Sequence, residues 1–145
     1  MSDDIPQFDP ATFATEPYVR RVDKPWGYEI HWVPEGLPYM GKILHINEGA
    51  QLSLQVHDQK QESYFMKSGR AALLWEDRQG EMVRTEMEEG LGYRTSVGQK
   101  HRLIGITDCD IIEVSTPEQG TTWRLEDAYG RPDETEQQRK LERGE

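Results

Sequence analysis

Four side chains in this sequence have the types and spacing to hold a divalent cation: Gln55, His57, Glu62 and His101. Gln55 and His57 belong to QLSLQVH (51–57), where Leu52, Leu54 and Val56 alternate with Ser53, Gln55 and His57. Strict period-two alternation is the pattern of a strand whose two faces meet different surroundings. Glu62 follows His57 by five residues, across the turn DQKQ, so the next strand brings a carboxylate back beside the imidazole. His101 opens a later strand after the glycine-marked turn SVGQK. One amide oxygen, two imidazoles and one carboxylate form a mixed nitrogen and oxygen set that suits zinc, manganese, iron, cobalt or nickel. Such a set leaves one or two positions for water or substrate, which catalysis requires. A structural role for His101, and a Gln55 that only hydrogen-bonds a ligand histidine, are the alternatives.

The elements that must position these groups read as strands. Candidate runs are 27–33, 39–46, 51–57, 63–67, 71–76, 81–87, 92–95, 101–106, 110–116 and 121–126, divided by Gly, Pro and Asp turns. Strands at this spacing without helical periodicity predict an all-β antiparallel sandwich or barrel. Residues 1–22 read as an N-terminal arm, because Pro6, Pro10 and Pro17 stand too close for a helix. Residues 23–131 carry the barrel, and 132–145 form a charged tail, helical or frayed, with Asp133 as a candidate cap and Glu136 and Lys140 at i,i+4 spacing. Leu52, Leu54 and Val56 are expected on the outer face of their strand, under a second layer or a partner subunit. Lys42 shares a strand face with Leu44 and Ile46, so it points inward if they do. His31 and His45 read as structural, and the four tryptophans as core or interface.

Composition bounds the rest. The chain of 145 residues is one domain by length, and its acidity, net −10, is concentrated at the two ends. No basic stripe is present, which argues against a nucleic-acid surface. Cys109 is the only cysteine, so disulfides and thiolate metal clusters are excluded, and it reads as buried strand filler. No basic and apolar leader opens the chain, and no apolar run approaches the ~18 residues of a spanning helix. A soluble, cytoplasmic protein that avoids membranes is the expectation.

The order Gly49-AQLSL-Gln55-V-His57-DQKQ-Glu62-SYFMKS-Gly69 resembles the first motif of the cupin superfamily, with Gln in place of its first His. Gly90-LGYRT-Ser96-V-Gly98-QK-His101-RLI-Gly105 is similar to the second motif, with Ser96 and Gly105 where proline and asparagine are usual. KPWGYE, LSLQVH, KHRL, IIEV and LEDAYGR, collinear over roughly residues 22–131, resemble the type II phosphomannose isomerases, the isomerase half of bifunctional mannose-1-phosphate guanylyltransferases. The nucleotide-binding half has no counterpart here, and Asp58 and Gln59 replace histidines common in that group.

The resemblance implies a small jelly-roll cupin binding one divalent metal through Gln55, His57, Glu62 and His101. It also implies an aldose–ketose isomerisation of a sugar or sugar phosphate through a metal-stabilised enediolate, in a homodimer. Lys42 and Glu62 are the candidate catalytic groups, and Ser53, Lys42 and Arg131 the candidate substrate contacts, though no residue is assigned as the base. Arg131, from YGR, either clamps phosphate or pairs with the acidic neighbours Glu126 and Asp127. A metal-dependent cupin oxygenase and a non-catalytic sugar-binding barrel are the rival readings.

Overall fold

The computed structural model describes residues 4–145. After a 3-10 turn at Pro10–Thr12, eleven strands follow. They are β1 (Arg20–Lys24), β2 (Gly27–His31), β3 (Met40–Ile46), β4 (Leu54–His57), β5 (Glu62–Ser68), β6 (Ala71–Glu76), β7 (Met82–Glu86), β8 (Gly92–Thr95), β9 (His101–Gly105), β10 (Cys109–Ser115) and β11 (Thr122–Glu126). One helix, α1 (Glu136–Glu142), closes the described chain, and no described helix is long and apolar enough to cross a membrane. The strands form two antiparallel sheets, ordered β1-β2-β3-β10-β5-β8 and β11-β4-β9-β6-β7.

Alternation decides which side chains meet between the sheets. On β3, Met40, Lys42, Leu44 and Ile46 are buried, and on β10, Cys109, Ile111 and Glu113 are buried. Leu44, Ile46, Tyr64, Met66, Leu73, Leu103 and Ile111 pack into one apolar core with Trp26. Two of these inward faces thus carry charge at one end, Lys42 and Glu113, and apolar bulk at the other. Trp75 packs against the core, while Trp32 and Trp123 are exposed. Cys109 Sγ lies 3.8 Å from the Ile46 carbonyl oxygen, and burial pushes its thiol up to about 11. Gly69 closes the β5–β6 turn at φ +81°, where a Cβ would strike the Asp108 carbonyl oxygen.

Three features differ from the sequence expectation. Regular pairing in the 51–57 run begins only at Leu54, and Leu52 lies in the core rather than on the outer face. The cause is Arg102, whose Nε donates to the Leu52 carbonyl oxygen at 2.9 Å, while Leu52 N donates to Leu103 O. Leu52 and Ser53 are both buried, and Leu54, Gln55 and Val56 are all half-buried before His57 is buried again. The last three residues of the segment read as an arm, 20–22, begin β1, which pairs with all of β2, with the Arg21 guanidinium 4.0 Å above the Tyr28 ring.

The tail is the third difference. Thr135, not Asp133, caps α1, accepting from Gln138 N at 3.2 Å, because Asp133 instead accepts from Arg124 N at 2.9 Å. No apolar stripe docks this helix, since Leu141 is exposed. Ion pairs do so: Arg124 bonds Glu134 and Glu142, each at 2.8 Å, and Arg139 bonds Glu134 at 2.8 Å. Arg124 is 3% exposed, and an isolated buried charge is costly. Deleting residues 132–145 is expected to cost roughly 3–5 kcal/mol and to lower the melting temperature by about 10 °C or more. Thermal denaturation followed by circular dichroism checks this; an unchanged melting temperature refutes the structural role of the tail.

Candidate functional site

Three strand ends meet at one end of the sandwich. His57 is the last residue of β4, Glu62 the first of β5 and His101 the first of β9. One ligand atom from each lies within 4.8 Å of the other two. All three residues are buried, His101 completely. His57 Nε2 contacts Glu62 Oε1, and His101 Nε2 is 3.4 Å from the same oxygen. These three atoms are buried without a hydrogen bond.

The remaining polar atoms of the trio are all held. His101 Nδ1 donates to the Gln99 carbonyl oxygen at 2.8 Å, which leaves Nε2 with its lone pair facing the trio. His57 Nδ1 bonds Thr122 Oγ1 at 2.8 Å, and Tyr64 donates its hydroxyl to Glu62 Oε2 at 2.5 Å. A buried polar atom left unbonded costs about 1–3 kcal/mol. Three converging orphans, each fixed from behind by its other polar atom, have the donor set and the supporting shell of a cation site. Protonation agrees. Burial pushes His57 below the ordinary histidine value, more strongly than Glu62 draws it up. Burial would raise Glu62, but Lys60 and His57 outweigh it and hold the carboxyl well below its usual range.

Gln55 lies on the same face of β4, opposite His101 in register, and lines the same cavity, but the converging atoms are those of His57, Glu62 and His101. Ser53 is buried in the cavity wall. Lys42 is buried with its ammonium between Glu118 and Glu29, 3.5 Å from the latter. Arg131 also lines the cavity, with its guanidinium turned to Asp127: Nε and Nη2 each donate at 3.0 Å. Of the two neighbours expected to pair with Arg131, Glu126 goes to Arg102 instead, at 3.3 Å. His31 and His45 sit outside the trio, bonded to Glu29 and Asp110 at 2.8 Å each.

The ammonium nearest the trio is one that sequence reasoning missed. Lys60 Nζ is 3.2 Å from Glu113 Oε2 and 3.9 Å from Glu62 Oε2. Glu113, on β10 opposite Tyr64, is the second missed group. Burial pushes its carboxyl up to about 7, with Glu62 adding to the rise, more than Lys60 and Lys42 pull it down. Its signal was present in DIIEV, where Glu113 shares the parity of the core residue Ile111. Lys60 sits in a turn, where no periodicity marks direction. The cavity these groups enclose is about 50 Å³, on the order of four water positions at about 10–15 Å³ each.

No family profile matches the sequence, and no curated protein matches it. Solved structures do resemble it. An oxalate decarboxylase from Lactobacillus farciminis, in complex with formate, superposes with TM-score 0.66 at 19% identity, covering 79% of this chain and 37% of that one. The Bacillus subtilis oxalate decarboxylase at pH 4.6 gives TM-score 0.66 at 17% identity, with coverages of 79% and 33%. A further Bacillus subtilis structure, in which Mn(II) centres were characterised, gives 0.66 at 17% identity over 83% and 35%. The chain therefore spans only about a third of the length of these structures. At such identities the likeness is one of fold, and the fold is a small cupin jelly roll. The isomerase part of the resemblance rests on the sequence motifs alone.

One equivalent of Mn(II) or Zn(II) is expected to bind per chain and raise the melting temperature. Glu62→Gln should abolish the shift, and Tyr64→Phe should weaken binding by about 10–100-fold by releasing the carboxylate. The His57 value lies below 6.5, so its protonation should leave affinity unaffected at neutral pH and weaken it only as pH falls beneath that value. Calorimetric titration across pH measures both effects; no stoichiometric binding at pH 7.5 refutes the site.

Proposed function

We propose that this chain is a divalent-metal-dependent enzyme that relocates a carbon-bound proton in a small oxygenated substrate. Aldose–ketose isomerisation of a sugar or sugar phosphate is the reaction the sequence motifs favour. The observation that carries the reading is the placement of Glu113 and Lys60 beside the His57–Glu62–His101 group. The cavity pairs a carboxyl raised to about 7 with an ammonium that stays charged. Shifting a carbonyl between adjacent carbons needs such a pair, since one group must take and return a proton while another steadies the oxygen that gains charge.

When bound, the cation would polarise the substrate carbonyl and stabilise negative charge developing on its oxygens. His57, Glu62 and His101 would hold it, with Gln55 the nearest candidate for a fourth, neutral ligand. Glu113 acts as the base: its Oε2, buried beside the Lys60 ammonium at 3.2 Å, accepts the carbon-bound proton and delivers it to the neighbouring carbon, while the substrate's hydroxyl proton passes from one oxygen of the enediol to the other. Lys60 donates to the substrate oxygen; burial works against its charge, but the carboxylates of Glu113, Glu62 and Glu118 outweigh it and keep the ammonium protonated throughout. Ser53 supplies a further hydroxyl on the wall. The lumen has room for only a few waters, which strengthens each of these charge interactions.

A second reading has its own support. Two histidines and one carboxylate form a donor set also used for redox chemistry on small carboxylates. A lumen of about 50 Å³ fits a two-carbon acid more easily than a hexose phosphate. Oxygen consumption during turnover would select that reading, and its absence the isomerase.

Glu113→Gln is expected to keep metal affinity within about threefold yet lower kcat by roughly 10²–10⁴. Because the base must be ionised, kcat/KM should fall with decreasing pH, with an inflection at or below about 7, since a bound cation favours the ionised carboxylate. A screen of sugar phosphates followed by proton-exchange NMR in deuterium oxide measures this. Unaltered turnover in Glu113→Gln refutes the assignment, and sugar binding without turnover in either form makes the barrel a binding protein.

A further inference from the structure

The lumen is not the only cavity. A groove of about 480 Å³ lies outside it, and Glu118 and Arg143 line both. The outer groove has the volume typical of an organic-ligand site, roughly 300–1,000 Å³, and the lumen does not. The wall between them is an ion pair. Glu118 belongs to the loop joining β10 to β11, and its carboxylate contacts Lys42 Nζ through Oε1 and Arg143 Nη2 through Oε2. Lys60 Nζ stands 3.9 Å from Oε1, and Arg139 Nε 3.6 Å from Oε2.

Four cationic groups thus converge on two carboxylate oxygens, two in direct contact and two at 3.6 and 3.9 Å. Lys42 is shared with Glu29, Lys60 with Glu113 and Arg139 with Glu134, but among the described residues Arg143 pairs with Glu118 alone. The Arg143 side chain is 4% exposed, and its Nε is buried with no hydrogen-bond partner. A guanidinium presents its donors as a fork shaped for two oxygens of one anion, and here half the fork is spare. The Arg131 guanidinium, by contrast, already donates twice to Asp127.

We infer that Glu118 occupies, as an internal stand-in, an oxyanion site built by Lys42, Lys60 and Arg143. A phosphate or carboxylate group arriving through the outer groove takes its place and joins the two cavities. The substrate of the neighbouring centre is accordingly an anion, part of it seated on Arg143 and part in the lumen. The assignment deepens the proposed function by naming the substrate class, while the anion site itself rests on the cationic cluster and needs no metal.

Inorganic phosphate and, in parallel, acetate are titrated into the full-length chain, as purified and after chelation, with hydrogen exchange followed at the amides of 118–120. Binding in both preparations, with faster exchange in that loop at saturation, is the expected result. Glu118→Gln, lacking the internal competitor, should bind the preferred anion about tenfold more tightly, and Arg143→Met at least about tenfold more weakly. Whichever anion binds more tightly identifies the substrate's group as a phosphate ester or a carboxylate. Three outcomes overturn the inference: no binding of either anion, binding that leaves loop exchange unchanged or slowed, or binding indifferent to Arg143→Met. Should Glu118→Gln not fold, exchange in the unmodified chain decides. Anion binding that persists after chelation in a chain that takes up no metal would refute the metal centre and leave this site standing.

Discussion

Charge enclosed in a low-dielectric interior has to be matched by opposite charge, and that requirement organises one end of this barrel. Four carboxylates, Glu29, Glu62, Glu113 and Glu118, are withdrawn from water there. Lys42, Lys60 and Arg143 answer them from a strand, a turn and the last turn of the chain. Each unpaired charge would cost several kcal/mol, so distant segments are drawn to one place. Burial, with the Glu62 carboxylate adding to it, pushes Glu113 up, and the imidazoles of His57 and His101 crowd a single carboxylate oxygen. A divalent cation at that oxygen would reverse the local sign and let Glu113 ionise more readily, coupling occupancy of the centre to the strength of the base.

Alternation made part of this readable from residues alone. His57 follows Gln55 by two positions and His101 opens a strand, so their inward direction is a matter of period two, and the structure brings both to Glu62. Lys42 was legible for the same reason, through Leu44 and Ile46. Glu113 obeys the same rule but was passed over, because an acidic residue between Ile112 and Val114 reads equally well as the wet face of an edge strand. Lys60 and Glu118 lie in turns, where backbone geometry rather than sequence parity aims the side chain. β1 escaped notice since Val22 is its one inward apolar residue, and the tail since ion pairs rather than an apolar stripe hold it. The run 51–57 misled in detail because Arg102, fifty positions away, captures the Leu52 carbonyl.

The two sheets supply a frame and little chemistry. Chains resembling this one in fold include oxalate decarboxylases, yet the same frame supports unrelated reactions. Behind the three converging atoms stands a second row, where Tyr64, Thr122 and the Gln99 carbonyl hold the other polar atoms of the trio and Lys60 with Glu113 stands beside them. Reaction type follows from that row more than from the histidines, which many cation sites share.

The burial of Cys109 has a practical corollary. Its thiol is covered by strand packing and held largely protonated at neutral pH, so thiol-specific alkylating reagents would find no native cysteine on the folded surface. A cysteine introduced at Gln119 would then be the sole addressable handle. A fluorophore attached there would report, in real time and on single molecules, how the segment beside the cavities moves.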